Sequence, residues 1–582
     1  MTTALTTPWT DEVGPRNALP EYPRPQLARP SAARPTWLNL NGEWEFETTD
    51  GIAAVPLGRP LSGRILVPYP VESALSGVEQ RADHVVYRRE VDVPRAWRTG
   101  GKRVRLHFGA VHHDATIFVN GEQVGRHLGG YESFSIDVTA ALVKHGPQEV
   151  VVAVHAPVDG ENVLVGKQRR EPEGIFYTAS SGIWQTVWLE PVPAASIASL
   201  VAVPDIDAGT FTVTTTLHGR PRKGRLTVEV LAGRRMVATA SGAPDGPLAV
   251  RVRKPRLWSP DDPFLYTVRA RLEADGSVDR VEASVGMRSI AIEEVGGVQR
   301  ITLNHEPAFL LSTLDQGFWP DGLHTAPTDA ALRFDVERTK ALGFNTIRKH
   351  IKVEPARWYH WADRLGLLVW QDIPSLPIDT ELTESDRTRF LADTARIVEQ
   401  LRGVTSIIGW VPFNEGWGQW SIEAAADAAD RVKAQDPTRL VIARSGANCC
   451  HMPGDAGNGD VIDWHEYQGP ALPSPDASRA AIDGEHGGLT LPIEGHSWAG
   501  ADVNPYGAVA DSAALTEGYV ANTTVLLERG VPGGLSGAVY TQITDVEGEQ
   551  NGLLTYDRRV EKVDVAAVRA INERVIEAGA RR

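Results

Sequence analysis

The stretch "GWVPFNEGWGQW" at residues 409–420 sets a carboxylate, Glu415, directly after an amide, Asn414, and surrounds the pair with tryptophans. It follows the apolar run "SIIGW", so the pair stands where a buried strand ends. A second glutamate, Glu485 in "AIDGEHGG", holds the same kind of position, and Asp315 and Asp372 also end apolar runs. Two facing carboxyl groups suit glycoside hydrolysis: one protonates the departing oxygen, and the other attacks the anomeric carbon to form a covalent intermediate. That retaining route requires a separation of about 5–5.5 Å, against about 6.5–9.5 Å for inversion. The two groups need different pKa values, the acid raised by burial and the nucleophile lowered by donors. Asn414 suits a hydrogen bond to the sugar hydroxyl beside the reacting carbon, and the tryptophans offer flat faces to the C–H side of a sugar ring. The competing reading is that Asn-Glu caps the helix formed by "SIEAAADAADRVKAQ".

These residues lie in a region of strand–helix alternation that begins near residue 296. Candidate strands are 308–315, 345–350, 367–373, 407–414, 440–446, 461–467, 480–485 and 536–543, separated by helical patterns such as "TDAALRFDVERTKALG" and "PARWYHWADRLG". Eight strands alternating with helices predict a (β/α)8 TIM barrel, whose chemistry sits at the carboxyl ends of the strands. A doubly wound open sheet is disfavoured, because no glycine-rich phosphate loop follows the first strand. Strands four and seven lie across the barrel mouth, so Glu415 and Glu485 can face each other over a substrate.

Upstream the texture is all β. Short alternating strands such as "VVYRREVDVP" and "DATIFVNGEQVG" fill the region from Trp37 to about Pro193, with an Asn-Gly hairpin signal at 120–121. This predicts a β-sandwich of the jelly-roll kind. Residues 194–295 have the scale and turn spacing of an immunoglobulin-like β-sandwich. The proline-rich first 35 residues read as an extended strap over a neighbouring surface. The expected organisation is therefore multidomain: strap and jelly roll over 1–193, immunoglobulin-like sandwich over 194–295, and catalytic TIM barrel over 296–582.

The 582-residue chain is 42% hydrophobic and 23% charged, ordinary for a soluble globular protein. Its formal charge of −15 argues against a nucleic-acid partner, which requires clustered Lys and Arg. No run of 18 apolar residues occurs, so no membrane span is expected. The amino terminus lacks a basic region followed by an apolar core, so the expectation is a cytoplasmic protein without a secretory signal. Cys449 and Cys450 are the two cysteines, and they are adjacent. Neighbouring cysteines rarely suit an ordinary structural disulfide. With His451 they lack zinc-ligand spacing, so a buried or loop position is expected and no metal site.

At this point the motifs together resemble glycoside hydrolase family 2, which includes β-galactosidases, β-glucuronidases and β-mannosidases. "SIIGWVPFNEG" is similar to the family's Trp four residues before Asn-Glu, and "GEHGG" to the end of its seventh barrel strand. "LNGEWEF", "FVNGEQVG", "YESFSIDVT" and "SSGIWQTVWLEPV" resemble its jelly roll, and "LWSPDDPFLYTV" the end of its immunoglobulin-like domain. "LGFNTIRKHIKVEP" and "DRLGLLVWQDIP" resemble barrel strands two and three. The resemblance implies that Glu415 is the acid/base and Glu485 the nucleophile, and that Tyr467 in "DWHEYQG" orients the nucleophile. It departs from the family at "IRKHIK": one residue, not two, separates Arg348 from His350, so Lys349 and Lys352 compete with His350 for a sugar-binding role. His465 is read as either pocket-facing or part of the barrel interior. Trp498 is read as either a wall of the sugar pocket or a packing residue. Glu494 in "LPIEGHSW" is a rival nucleophile, and His486 stands beside Glu485.

The resemblance further implies exo-acting, retaining double displacement with no required cofactor, although some members bind magnesium or sodium. The expected partner is an oligosaccharide or glycoside, and a homodimer is compatible with the large β surfaces. The β-glucuronidases hold the sugar carboxylate with an Asn and a Lys near the last strand, whereas "DVEGEQNGLLTYDRR" has Asp545, Glu547 and Glu549 there. An acidic loop would repel a uronate, so a neutral sugar is expected, with β-galactoside ahead. The alternatives are β-galactofuranoside, α-L-arabinofuranoside, β-mannoside and β-glucuronide, transglycosylation with the same residues, and a non-catalytic carbohydrate-binding protein. The loop "GKQRR" at 166–170 is read as a solvated surface loop.

Overall fold

The computed structural model describes residues 5–30, 36–51, 55–378, 380–498 and 506–581. Its amino-terminal sandwich packs a six-stranded antiparallel sheet against a four-stranded one. Alternating inward residues from both sheets, among them Trp44, Tyr87, Leu106, Ile117 and Val152, form one buried core. The Asn-Gly signal is the hairpin turn between Asp114–Val119 and Glu122–Leu128, with both residues at positive φ. A second sandwich follows, of three strands (Ser196–Asp205, Thr210–His218, Leu248–Arg251) and four (Gly224–Ala232, Arg235–Gly242, Leu265–Ala274, Ser277–Gly286).

The strap crosses all of these units. Trp9 packs edge-on against Trp319 and Phe334, and Thr7 and Thr10 donate to Asp321. Farther along, Gln26 donates to the Ala356 carbonyl, and Arg29 bridges Glu190 and Asp279.

The barrel strands are β1 (Leu310–Asp315), β2 (Thr346–Lys349), β3 (Leu368–Asp372), β4 (Ile407–Val411), β5 (Leu440–Val441), β6 (Val461–Tyr467), β7 (Ala480–Gly487) and β8 (Gly537–Thr541). They pair in parallel in the order β5-β4-β3-β2-β1-β8-β7-β6, and among the described residues no ladder joins β5 to β6. The helices are α1 (Asp329–Ala341), α2 (Ala356–Leu365), α3 (Glu384–Leu401), α4 (Ile422–Gln435), α5 (Ser512–Val525) and α6 (Val565–Gly579). None is long and apolar enough to cross a membrane. Trp258 and a hairpin of Ile290–Val295 and Val298–Leu303 plug the barrel floor, where Trp258, Ile290 and Ile301 join Leu310, Trp370, Ile408 and Ile482 in one core.

β5 is shorter than the 440–446 predicted. Beyond Val441 the chain touches the continuation of β4 through a single parallel bridge, Asn414 to Ser445. The helix-capping reading of Asn414-Glu415 is also overturned. α4 is capped by Ser421, whose Oγ accepts from the Ala424 N–H. That frees both side chains for the barrel mouth.

Candidate active site

After β4 the backbone turns sharply. Glu415 lies at φ +50° and Gly416 at +79°, in the left-handed region that a non-glycine residue rarely adopts. The Glu415 N–H donates to the Ser445 carbonyl, and its own carbonyl accepts from the His451 N–H. The turn aims the carboxylate inward, toward the end of β7.

There Glu485 is almost fully buried. Arg348 Nη1 donates to its Oε1 at 3.0 Å, and the Tyr467 hydroxyl donates to its Oε2. Tyr467 is itself stacked on Tyr506, with ring centroids 3.9 Å apart. One oxygen of Glu415 lies within 4.8 Å of one oxygen of Glu485, with a His465 ring nitrogen within the same distance of both. That approach of the nearest oxygens fits the closer carboxylate pairs of glycoside hydrolysis, whose groups stand about 5–5.5 Å apart.

Arg348 ties the cluster together. Besides Glu485 it donates to both oxygens of Asp372, to Asn414 Oδ1 at 2.8 Å and to the Gly484 carbonyl. His350 Nδ1 pairs with Asp372 Oδ2 at 2.9 Å. Burial drives the His350 pKa well below the ordinary histidine value, so its ring is neutral. Burial also raises the Asp372 carboxyl, which Arg348 only partly offsets.

His465 fills the gap between the two glutamates. Its Nδ1 lies 2.8 Å from Glu415 Oε1 and 3.7 Å from Glu485 Oε1, and its Nε2 lies 2.7 Å from Ser445 Oγ. Burial opposes a charge on this ring. Glu485, Asp463 and Glu415 outweigh it and raise the pKa to about 10. Burial likewise pushes Glu415 upward, but His465 reverses the effect and holds the carboxyl below its ordinary value. The expectation of an acid raised by burial therefore fails at Glu415, because a cation is buried beside it.

Other sequence candidates fall elsewhere. Asp315 is held by Lys349 and by the Gly317 N–H, in a separate cluster where Lys349 and Lys352 share Glu354. Those two lysines are therefore not competitors of His350 for a ligand. Trp498 packs against Tyr556, beside Tyr177, Phe318 and Val546. Glu494 is exposed, and His486 pairs with Asp483 at 2.7 Å.

The loop 166–170 is not a solvated surface loop. Val165 and Gly166 donate to the Ser375 carbonyl, and Lys167 is buried with its Nζ 2.7 Å from Glu549 and 5.8 Å from the centre of the Trp417 ring. The Tyr177 hydroxyl also donates to Glu549. Asp545 pairs with Lys562 at 2.7 Å, and Glu547 accepts from the Thr178 N–H. The acid-rich loop is thus largely neutralised from within, which removes the charge argument against a uronate.

Cys449 and Cys450 form a disulfide, against the sequence expectation, and Cys449 Sγ lies 3.9 Å from Glu415 Oε1. Sequence reasoning also passed over Ser445 and Asp463, whose only signal was their place beside β5 and within β6, and Tyr506, which carried none. Lys167 was visible only as part of a basic run.

Two family models match the chain: "Glycosyl hydrolases family 2, sugar binding domain" over residues 56–193, and "Glycosyl hydrolases family 2" over residues 195–288. Over those residues the chain carries domains of glycosyl hydrolases family 2. Among curated relatives, the chain is 28% identical over 302 residues to a β-galactosidase of Thermoanaerobacter pseudethanolicus, covering 50% of this chain and 39% of that protein. It is 24% identical over 496 residues to a β-glucuronidase of Bacteroides fragilis, covering 77% of this chain and 66% of that one. The β-glucuronidase of Ruminococcus gnavus superposes with a TM-score of 0.75 over 95% of this chain and 100% of its own, at 18% identity. The likeness of fold thus spans nearly the whole chain.

Proposed function

We propose that the chain is a retaining, exo-acting O-glycosidase that cleaves a terminal β-linked sugar by double displacement. The observation that carries this reading is the close carboxylate pair at the ends of β4 and β7, with donors placed differently on its two members. Glu485 receives Arg348 and Tyr467, which fix its carboxyl group for attack on the anomeric carbon. Glu415 acts as acid in the first step and as base toward water in the second. Arg348 occupies Asn414 Oδ1, which leaves the amide protons of Asn414 for the hydroxyl beside the reacting carbon. Double displacement needs no metal or cofactor.

The sugar is a β-galactoside or a β-glucuronide. Relatives of both kinds match, and the pairing of Lys167 with Glu549 leaves no charge argument against either sugar. The test is a panel of 4-nitrophenyl glycosides: β-galactopyranoside, β-glucuronide, β-mannoside, β-galactofuranoside and α-L-arabinofuranoside. Wild type is run beside Glu485→Gln. Turnover of a β-galactoside or β-glucuronide that the variant lacks supports the reading. A protein that binds these sugars without cleaving any of them contradicts it.

A further inference from the structure

The hydrogen bonds around His465 fix where its protons are. Ser445 Oγ donates to Asp463 Oδ2 at 2.9 Å, which uses its one proton. The Ser445 oxygen must then accept from His465 Nε2, which lies 2.7 Å away. Asp463 is pinned in turn by the Gly446 N–H on its Oδ1. A Cβ at Gly484 would fall 1.9 Å from that same oxygen, so the residue before Glu485 must be glycine for Asp463 to sit there. Asn448 clamps the His465 backbone from both sides, accepting from its N–H and donating to its carbonyl. The imidazole is therefore held with Nε2 protonated and Nδ1 aimed at Glu415. Only one proton remains to be placed on the 2.8 Å line between Nδ1 and Glu415 Oε1.

We infer that His465 stores the catalytic proton on Nδ1 and hands it to Glu415, so that the two side chains form a single acid. This rests on the double-displacement reading above. In the resting protein Glu415 is ionised beside an imidazolium. In the first step the Nδ1 proton moves to Glu415 and from there to the departing oxygen, while the carbon–oxygen bond breaks and Glu485 bonds the anomeric carbon. That leaves Glu415 ionised beside a neutral imidazole. In the second step Glu415 takes a proton from water as the water oxygen bonds the anomeric carbon and the bond to Glu485 breaks. The proton then returns to Nδ1.

The charges facing the ring favour this placement. Glu415 follows β4, Glu485 and Asp483 lie on β7, Asp463 lies on β6 and Asp372 ends β3; against them stand Arg348 on β2, Lys167 from the jelly roll, Arg444 after β5 and neutral His350 after β2. Carboxylates outnumber cations around a buried ring, which stabilises the imidazolium. It also makes the acid a property of the pair. His465 acts through Glu415 and is in that sense a positioning residue.

The decisive measurement is 15N NMR of the histidine-labelled wild-type protein, titrated from pH 6 to 9. The His465 resonances are assigned by their loss in His465→Gln and their shift in Glu415→Gln. Both ring nitrogens protonated throughout is the expected result; a ring that becomes neutral, with an unprotonated Nδ1, overturns the inference. This readout needs no substrate, so it stands even if no glycoside in the panel is cleaved, an outcome that counts only against the proposed function. Where a glycoside is cleaved, the basic limb of kcat/KM should fall by about two pH units or more in His465→Gln, because Glu415 alone must then hold the proton. Lower rates on an unmoved limb would reduce His465 to packing and contradict the shared acid.

Discussion

Two buried charge clusters sit at the mouth of the same barrel. In one, Asp315 and Glu354 face Lys349 and Lys352, and the other two Lys352 protons go to the carbonyls of Gly317 and His324. Two acids meet two bases, and the set is closed. In the other, Asp372, Glu415, Glu485 and Asp463 pair directly with Arg348 and the imidazole of His465, with Arg444 farther off. The second set carries more acid than base, keeps a titrating ring between its two glutamates and has the Tyr467–Tyr506 stack at its edge. Burial and strand-end position are common to both clusters, so neither marks a site. What separates them is whether the protein supplies a full complement of countercharges or leaves one proton to move.

Substitutions can break that contrast. The largest effect is expected at Glu485→Gln, which should lower turnover by at least about 10⁴-fold with the fold intact, as removal of a nucleophile does. Glu415→Ala should slow glycosides with poor leaving groups by roughly 10²–10⁴-fold and activated aryl glycosides far less, because only the former need a proton. Equal losses on both, measured as kcat/KM across a leaving-group series, would remove Glu415 from the acid role. Asp372→Asn loosens Arg348, which orients both Glu485 and Asn414, and should cost about 10²-fold in kcat through misplacement alone. The smallest effect on catalysis is expected in the closed cluster. Asp315→Asn leaves Lys349 short of a charge, so it should cost about 3–5 kcal/mol in denaturant unfolding while kcat per folded molecule stays near wild type. If Asp315→Asn and Asp372→Asn lose activity alike, the two clusters are not functionally distinct.

Much of this was legible in the residues. Apolar runs alternating with helical patterns marked all eight barrel strands, four of them closing at Asp315, Asp372, Glu415 and Glu485, and the alternating period marked both sandwiches. β5 was overdrawn, because the run "LVIAR" is equally apolar in a strand and in the buried loop that follows it. The Glu415–Glu485 pair was readable because strand order alone places the ends of β4 and β7 across the mouth. Asp315 and Asp372 looked alike because sequence reports that a residue is acidic but not which base lies beside it. Lys167 was misplaced for the same reason. Its partner Glu549 is 382 residues away, and only the packing of the jelly roll on the barrel brings them together. The vicinal disulfide was discounted on ordinary disulfide geometry, which does not cover a pair of adjacent cysteines closed into a turn beside Glu415.

The central claim is that Glu415 and Glu485 work together by retention, and the stereochemistry of the first product tests it most directly. A panel member that wild type cleaves would be followed by 1H NMR of the anomeric region from the first turnover, before mutarotation mixes the anomers. From a β-glycoside, the account predicts that the β-anomer of the free sugar appears first and the α-anomer only later. First appearance of the α-anomer would show direct displacement by water and contradict it.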